Sequence, residues 1–329
     1  MKRIYIDGRW VGMGGIGTFY SEVNKILKFD DAGFKGMPHS PLDTVRSSLK
    51  LWRKKNSIYL FPGYIPPLFS RCPYIFTIHD LNHLDRPENS SLIKRLFYQL
   101  VIKRGCKKAS YIFTVSDFSK QRIIEWSGVE HEKVITVGNG VSKRFSASGE
   151  TMSTYDFQYF LCVGNRKLHK NEIRVIEAFS SATISKDIKL VLTGNADDAI
   201  LGKIKELNLS DRVIFSGYIS DADLPKLYRG AFGLIFASLY EGFGLPVIEA
   251  MASGVPVITS KTTSLGEVAG DAAILVDPEN VIEIREAIEL LHNNSVLRDE
   301  MIYTGFIQAK KYNWENVAER IKAAICILQ

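Results

Sequence analysis

Short runs of apolar residues recur along this chain, each separated from the next by a longer stretch with helical spacing, and the rhythm stops once and then restarts. Ile4–Ile6, Ser57–Phe61, Tyr74–Ile78, Tyr111–Val115 and Val134–Val137 read as strands buried on both faces, the pattern of a parallel sheet covered by helices. A polar stretch from Ser142 to Tyr155, holding Ser146, Ser148, Gly149, Glu150 and Ser153, then reads as a linker. Beyond it come Tyr159–Val163, Lys189–Thr193, Val213–Ser216, Gly233–Phe236, Pro256–Thr259 and Ala273–Val276, a second set of strands. The expectation is two doubly wound, Rossmann-like α/β domains, residues 1–150 and 151–312. Val317, Ile321, Ala324, Ile325 and Leu328 recur at helical spacing after Trp314, so the last segment should pack one helix face on the body.

A chain of 329 residues with 46% hydrophobic content can bury two cores. It has no uncharged apolar run of membrane-spanning length, and Lys2–Asp7 is too short for a signal-peptide core, so a cytoplasmic protein is expected. Cys72, Cys106, Cys162 and Cys326 are scattered without paired spacing, which argues against a disulfide framework or a zinc site. The net charge of +6 conceals an asymmetry. Residues 1–150 carry 24 Lys and Arg against 13 Asp and Glu, whereas residues 151–329 carry 18 against 23. A basic first half either meets an anionic surface or is a solvated face.

Three constellations can carry chemistry. Glu241-Gly-Phe-Gly-Leu-Pro-Val-Ile-Glu249 follows a buried strand and opens a helix near Pro246. Backbone N–H groups at Gly244 and Leu245 then favour an anion, and the two carboxylates can accept hydrogen bonds from vicinal sugar hydroxyls or merely complement the helix dipole. Gly164-Asn-Arg-Lys-Leu-His-Lys-Asn171 places Arg166, Lys167 and Lys170 at a strand-to-helix junction, where they either neutralise a diphosphate or form a solvated basic loop. Gly12, Gly14 and Gly17 spell GxGxxG, but the strand before them ends several residues early and no second strand leads into an acidic residue; Asp30 and Asp31 follow a helical stretch instead. His79, His83 and His169 are ordinary structural histidines by their surroundings, and Ser116 with Ser119 reads as a helix N-cap.

The pairing of Glu241 and Glu249 with the basic loop resembles the retaining glycosyltransferases of family 4, which have the GT-B fold of two Rossmann-like domains facing a central cleft. The resemblance continues through Gly14-Gly-Ile-Gly17, Thr77-Ile-His-Asp80, Thr114-Val-Ser-Asp-Phe-Ser119, Gly138-Asn-Gly-Val141, Val213-Ile-Phe-Ser-Gly217 and Asn313-Trp-Glu315, and so spans nearly the whole chain in order. It implies an acceptor-binding first domain, a nucleotide-sugar-binding second domain, and a helix over residues 313–329 that returns to the first domain. By the same resemblance Glu249 would hold the ribose, and Glu241 with the backbone of Phe243, Gly244 and Leu245 the sugar. Arg166, Lys170 and the adjacent Lys167 would meet the diphosphate, aided by the loop near Gly15; His79 would face the reacting sugar, and the base would lie near Tyr218 and Ile219.

The expected function is transfer of a hexose, mannose from GDP-mannose first, in surface polysaccharide synthesis; UDP-glucose, UDP-galactose or a rhamnose donor would suit the same chemistry. The nucleotide sugar is a co-substrate, with no cofactor and no metal expected, since no DxD-like pair ends a strand. A glycan or polyprenyl-diphosphate-linked acceptor is expected and nucleic acid is not. A glycosidase would leave the basic loop unused, whereas a sugar-nucleotide epimerase or a non-catalytic nucleotide-binding module would fit the same motifs. Finally, Lys94, Arg95, Lys103, Arg104, Lys107 and Lys108 interleave with Leu92, Ile93, Leu96, Phe97, Leu100, Val101 and Ile102. On a helix Leu92, Leu96 and Val101 share an apolar face, which suits either packing on the sheet or docking of the first domain on the anionic inner face of the plasma membrane.

Overall fold

A strand with an unbroken apolar run must be covered on both faces, and Ser57–Phe61, apolar from Ile58 onward, is buried at all five positions. The computed structural model describes every residue except Met1, Pro87, Asn89 and Ser153, the last of which belongs to the polar stretch discussed above. Its first unit comprises residues 1–140 and 314–329. Six parallel strands, β1 (Arg3–Ile6), β2 (Asp30–Asp31), β3 (Ser57–Phe61), β4 (Tyr74–Thr77), β5 (Tyr111–Thr114) and β6 (Val134–Thr136), run in the order β2-β1-β3-β4-β5-β6. Register places Tyr5 opposite Tyr59, whose rings stack with centroids 5.4 Å apart. One face of the sheet packs on Phe19 and Val23 of α1 (Gly14–Leu27) and on Trp314, Val317, Ile321, Ala324 and Ile325 of the helix Trp314–Cys326. The other face is covered by Leu51 of α2 (Asp43–Trp52), by Tyr98, Ile102 and Cys106, and by Ile123 of the helix Asp117–Ser127.

Two expectations are corrected here. Asp30 and Asp31 form a strand of their own, paired in parallel with Tyr5 and Ile6. Asp31 is nevertheless occupied locally, accepting hydrogen bonds from the backbone N–H groups of Gly8 and Gly33 at 3.3 and 3.0 Å. Residues 92–108 form one helical rod with a π-helical turn at Tyr98–Ile102. Its inward residues are Tyr98, Ile102, Gly105 and Cys106, because Gly105 lets the rod close on Pro66; Leu92, Ile93, Leu96 and Leu100 remain 58–83% exposed.

The second unit spans Val141–Asn313. Residues 141–150, expected in the first domain, belong to it: Phe145 packs edge-on against Tyr228 at 5.6 Å, and Arg229 donates to the carbonyls of Ser146 and Glu150. Strands β7 (Tyr159–Cys162), β8 (Lys189–Leu192), β9 (Val213–Phe215), β10 (Gly233–Phe236), β11 (Val257–Ser260) and β12 (Ile274–Val276) pair in parallel in the order β12-β11-β10-β7-β8-β9. The chain leaves β7 in one direction and later returns to its other side as β10. This reversal opens a crevice at the carboxyl ends of β7 and β10, where ligands bind in doubly wound sheets.

Candidate active site

Both strong motifs lie at that crevice. The basic loop leaves β7 and the Glu241 loop leaves β10, adjacent strands that put Gly233 opposite Phe160. Lys170 and Glu241, distant in sequence, thereby meet: Lys170 Nζ donates to Glu241 Oε1 at 2.7 Å, with the side chains 17% and 14% exposed. The ammonium also stands 5.1 Å from the centroid of the Phe236 ring. A pair so shielded keeps most of its mutual attraction, and removing either member leaves an uncompensated charge.

The cations of the basic loop play different parts. Arg166 adopts φ +63°, uncommon for a bulky residue, and its guanidinium turns inward to Glu172, to the carbonyl of Thr193 and, at 2.7 Å, to the carbonyl of Asn195. Glu172 can fold back to it because residue 164 is glycine; a Cβ there would lie 2.1 Å from Glu172 Oε1. Burial pushes the Glu172 carboxyl up, and Arg166 pulls it back. Arg166 thus ties the loop after β7 to the loop after β8, while Lys167 is exposed. Asn171, at φ +60°, anchors the end of the basic loop: its amide donates to the carbonyls of Ala237 and Pro278 at 2.9 and 2.6 Å. Sequence reasoning missed Asn171 and Glu172. An asparagine just before a helix, tolerant of left-handed backbone, was the available signal.

On the other side of the crevice the chain turns at Gly244, φ +102°, into the helix Leu245–Ala252 with Pro246 in its first turn. A Cβ on Gly244 would stand 2.4 Å from Leu265 Cδ2, so any side chain here strains the left-handed backbone and displaces Leu265. Ser264 Oγ sits 2.9 Å from the carbonyl oxygen of Glu241 and 3.1 Å from that of Phe243, holding the loop in place. Phe243 is buried edge-on against Tyr312 at 5.4 Å; beyond it the Val247 N–H donates to the Gly244 carbonyl at 3.0 Å and Pro246 has no N–H, so at the first helical position Leu245 is left with an N–H that has no acceptor within the helix. Glu249, one turn in, accepts from the buried Tyr228 hydroxyl at 2.9 Å. Burial raises the Glu249 carboxyl to about 7, although Tyr228 and Arg144 act to lower it. Tyr228 was also missed, since nothing in its local sequence connects it with a residue in a later helix. Gly194 and Gly217 form an antiparallel bridge between the loops after β8 and β9, leaving Tyr218 90% exposed with Ile219 half-buried beside it.

His79 and Gly15 belong to the first unit. His79 follows β4, with its ring edge-on to Phe19 at 5.3 Å and its Nε2 2.9 Å from the carbonyl of Pro62. A carbonyl only accepts, so Nε2 carries the proton; burial lowers the pKa of the ring and keeps it neutral. Ser116 caps the helix Asp117–Ser127 as expected, while the Ser119 hydroxyl donates to the His79 carbonyl at 3.1 Å. Gly15 lies exposed in the first turn of α1.

A Rossmann-type unit whose switch point gathers a cation, two carboxylates and a glycine-opened helix, accompanied by a second doubly wound unit, defines a two-domain protein of the GT-B class. The sequence family described as glycosyl transferases group 1 matches residues 153–308, and glycosyltransferase family 4 matches residues 41–145. Among curated relatives, O-antigen chain mannosyltransferase B of Escherichia coli is 30% identical over 276 residues, covering 80% of this chain and 72% of the relative. The O-antigen chain mannosyltransferase RfbU of Salmonella typhimurium is 31% identical over 215 residues, 65% of this chain and 59% of the relative. Among solved structures, sucrose-phosphate synthase of Thermosynechococcus elongatus superposes with a TM-score of 0.79 at 18% identity, covering 100% of this chain and 99% of that one. A glycosyltransferase of Rickettsia africae gives 0.77 at 16% identity, with 99% and 98% covered. The chain belongs to the family 4 glycosyltransferases.

Proposed function

We propose that this glycosyltransferase moves a hexose, mannose from GDP-mannose as first choice, onto a glycan or polyprenyl-diphosphate-linked acceptor during surface polysaccharide synthesis. The observation that carries the reading is the meeting of Lys170 and Glu241 beside the Gly244 turn at the switch point of the second sheet. The mannose choice draws on the names of the Escherichia coli and Salmonella relatives.

In this reading the donor diphosphate meets Lys170 and Lys167, with Arg166 fixing the loop that presents them. Glu241 and the backbone of Phe243, Gly244 and Leu245 take the sugar hydroxyls, Glu249 the ribose hydroxyls, and Tyr218 and Ile219 the base. As the bond from the anomeric carbon to the leaving phosphate oxygen breaks, negative charge grows on the diphosphate, and a fixed ammonium stabilises it without solvent reorganisation. The acceptor oxygen attacks the same face and passes its proton to the departing phosphate oxygen, which retains the anomeric configuration. Lysine in place of a divalent ion makes turnover independent of metal.

By the same proposal the protein lies in the cytoplasm, with its basic first unit resting on the inner face of the plasma membrane. No helix among the described residues is long and apolar enough to cross a bilayer, and the exposed leucines and cations of residues 92–108 support docking.

A thermal-shift series with GDP, UDP and dTDP, followed by transfer from the matching nucleotide sugar in EDTA, tests this reading. A ligand at 100 times its Kd stabilises the native state by about 2.7 kcal/mol. GDP is expected to give the largest rise and GDP-mannose to turn over in chelator. Tight nucleotide binding without transfer to any glycan overturns the enzymatic reading, and activity restored only by magnesium or manganese overturns metal independence.

A further inference from the structure

The first unit carries a second concave site, which the donor chemistry does not use. A cavity of about 260 Å³ opens at the carboxyl end of β2, between the loop Gly33–Lys35 and α2, lined by Gly33, Phe34, Lys35, Asp43, Arg46 and Lys50. Its one carboxylate is already committed. Asp43 receives both terminal nitrogens of Arg9 at 2.7 Å, and Arg9 also binds Asp7 at 2.7 Å. Lys35, Arg46 and Lys50 form no ion pair among the described residues. Lys50 donates to the carbonyl of Gly33 and stands 5.1 Å from the centroid of the Phe34 ring, over which Arg9 also lies at 5.2 Å. Burial, and then the neighbouring cations Lys54, Arg9 and Lys35, lower the pKa of Lys50 against the opposing pull of Asp31. An anion placed here gains three cations, one an arginine with the fork geometry that suits phosphate.

The helix that supplies Arg46 and Lys50 has a second feature on the adjoining stripe. Leu42, Val45 and Leu49 follow one another at helical spacing and are 62%, 42% and 64% exposed. Each lies one residue before Asp43, Arg46 or Lys50, so an apolar strip runs beside the cationic wall of the cavity. A free inorganic anion would have no use for that strip. An amphiphile with a phosphate head and a hydrocarbon tail would use both.

We propose that this cavity binds the phosphate or diphosphate group of an apolar-chain phosphate ester, with the chain lying along Leu42, Val45 and Leu49. Identifying that ester with the sugar acceptor rests on the transfer reading above, whereas the binding itself does not.

The test is calorimetric titration of the full-length protein, without nucleotide sugar, using inorganic pyrophosphate and a water-soluble ten-carbon prenyl diphosphate. The prenyl compound is expected to bind tighter by on the order of tenfold, because its chain buries apolar surface. Arg46→Glu combined with Lys50→Gln should abolish the tighter binding of the prenyl compound and leave only what the donor site takes up equally from both probes. Leu49→Ser should retain pyrophosphate binding and lose the preference for the chain. Unchanged affinity in the Arg46/Lys50 variant, confirmed folded by circular dichroism, overturns the proposal, as does equal affinity of the wild-type protein for the two probes. Failure of the nucleotide series would instead strike the donor reading and leave this result standing.

Discussion

At the scale of single residues, the decisive groups are those whose charge is set by neighbours from other strands. Removing the Lys170 ammonium takes away the cation assigned to the leaving diphosphate and strands Glu241, its partner at 2.7 Å. Lys170→Ala is expected to lower kcat by roughly 10²–10³ with the fold intact, the scale measured when one fixed electrostatic donor is removed from an active site. Wild-type turnover in a folded variant would remove Lys170 from the mechanism. Glu249 makes a prediction of opposite kind. Its carboxyl is raised to about 7 in the fold, chiefly by burial, against an ordinary glutamate value of 4.5. Between those values the native state binds the proton more tightly than the unfolded chain does, so this group's contribution to stability declines as pH rises from about 4.5 to 7 and levels off above. Glu249→Gln should therefore gain in melting temperature relative to wild type on going from pH 5 to pH 8, by about 2–4 °C for each kcal/mol removed. Parallel melting curves across that range would refute the assignment. The ionised form is also the stronger acceptor of hydroxyl hydrogen bonds, so nucleotide affinity should strengthen through the same interval.

At the scale of elements, the rod of residues 92–108 shows how far a periodicity argument reaches. Four large apolar side chains, Leu92, Ile93, Leu96 and Leu100, stay exposed, while Arg95, Arg104, Lys107 and Lys108 are exposed on the same rod. Each cation near an anionic bilayer contributes about 1 kcal/mol, and that attraction is screened by salt. Flotation with anionic vesicles is expected to carry the protein at low salt and release it at high salt, with neutral vesicles carrying little. Equal and negligible binding to both vesicle types at low salt would exclude this helix as a membrane contact. The inward face was harder to read, because the π-helical turn at Tyr98–Ile102 shifts the phase that simple 3.6-residue counting assumes.

For the whole molecule, the first unit is assembled from two distant parts of the chain, residues 1–140 and 314–329. Trp314, Val317, Ile321 and Ile325 are each at most 4% exposed and pack with Phe19, Val23 and the sheet. Burying a large apolar side chain contributes roughly 1.5–3 kcal/mol, so four of them amount to much of the 5–15 kcal/mol that holds a typical domain folded. Truncation after Asn313 is expected to abolish the melting transition of the first unit in scanning calorimetry. A wild-type calorimetric profile in the truncated protein would show that the helix adds little to that core.

The sequence alone determined the alternation of buried strands and helices, because a parallel strand covered on both faces leaves an unbroken apolar run that needs no tertiary knowledge to see. Eleven strands were legible in this way; β2, only two exposed aspartates, was not. Local chemistry also marked the Gly244 turn and the basic loop, since glycine, proline and clustered charge act within a few residues. Only the tertiary structure decided which cation meets which carboxylate. The adjacency of β7 and β10 pairs Lys170 with Glu241, and the packing of helix Leu224–Arg229 on helix Leu245–Ala252 brings Tyr228 to Glu249; Arg166 turns to Glu172, six residues on, where the glycine at 164 leaves room for the carboxylate. The same holds for residues 141–150, whose polar composition resembles a linker but which pack through Phe145 and Arg229 as part of the second unit. A linker and an ordered surface segment share a composition, and only the contacts made after folding distinguish them.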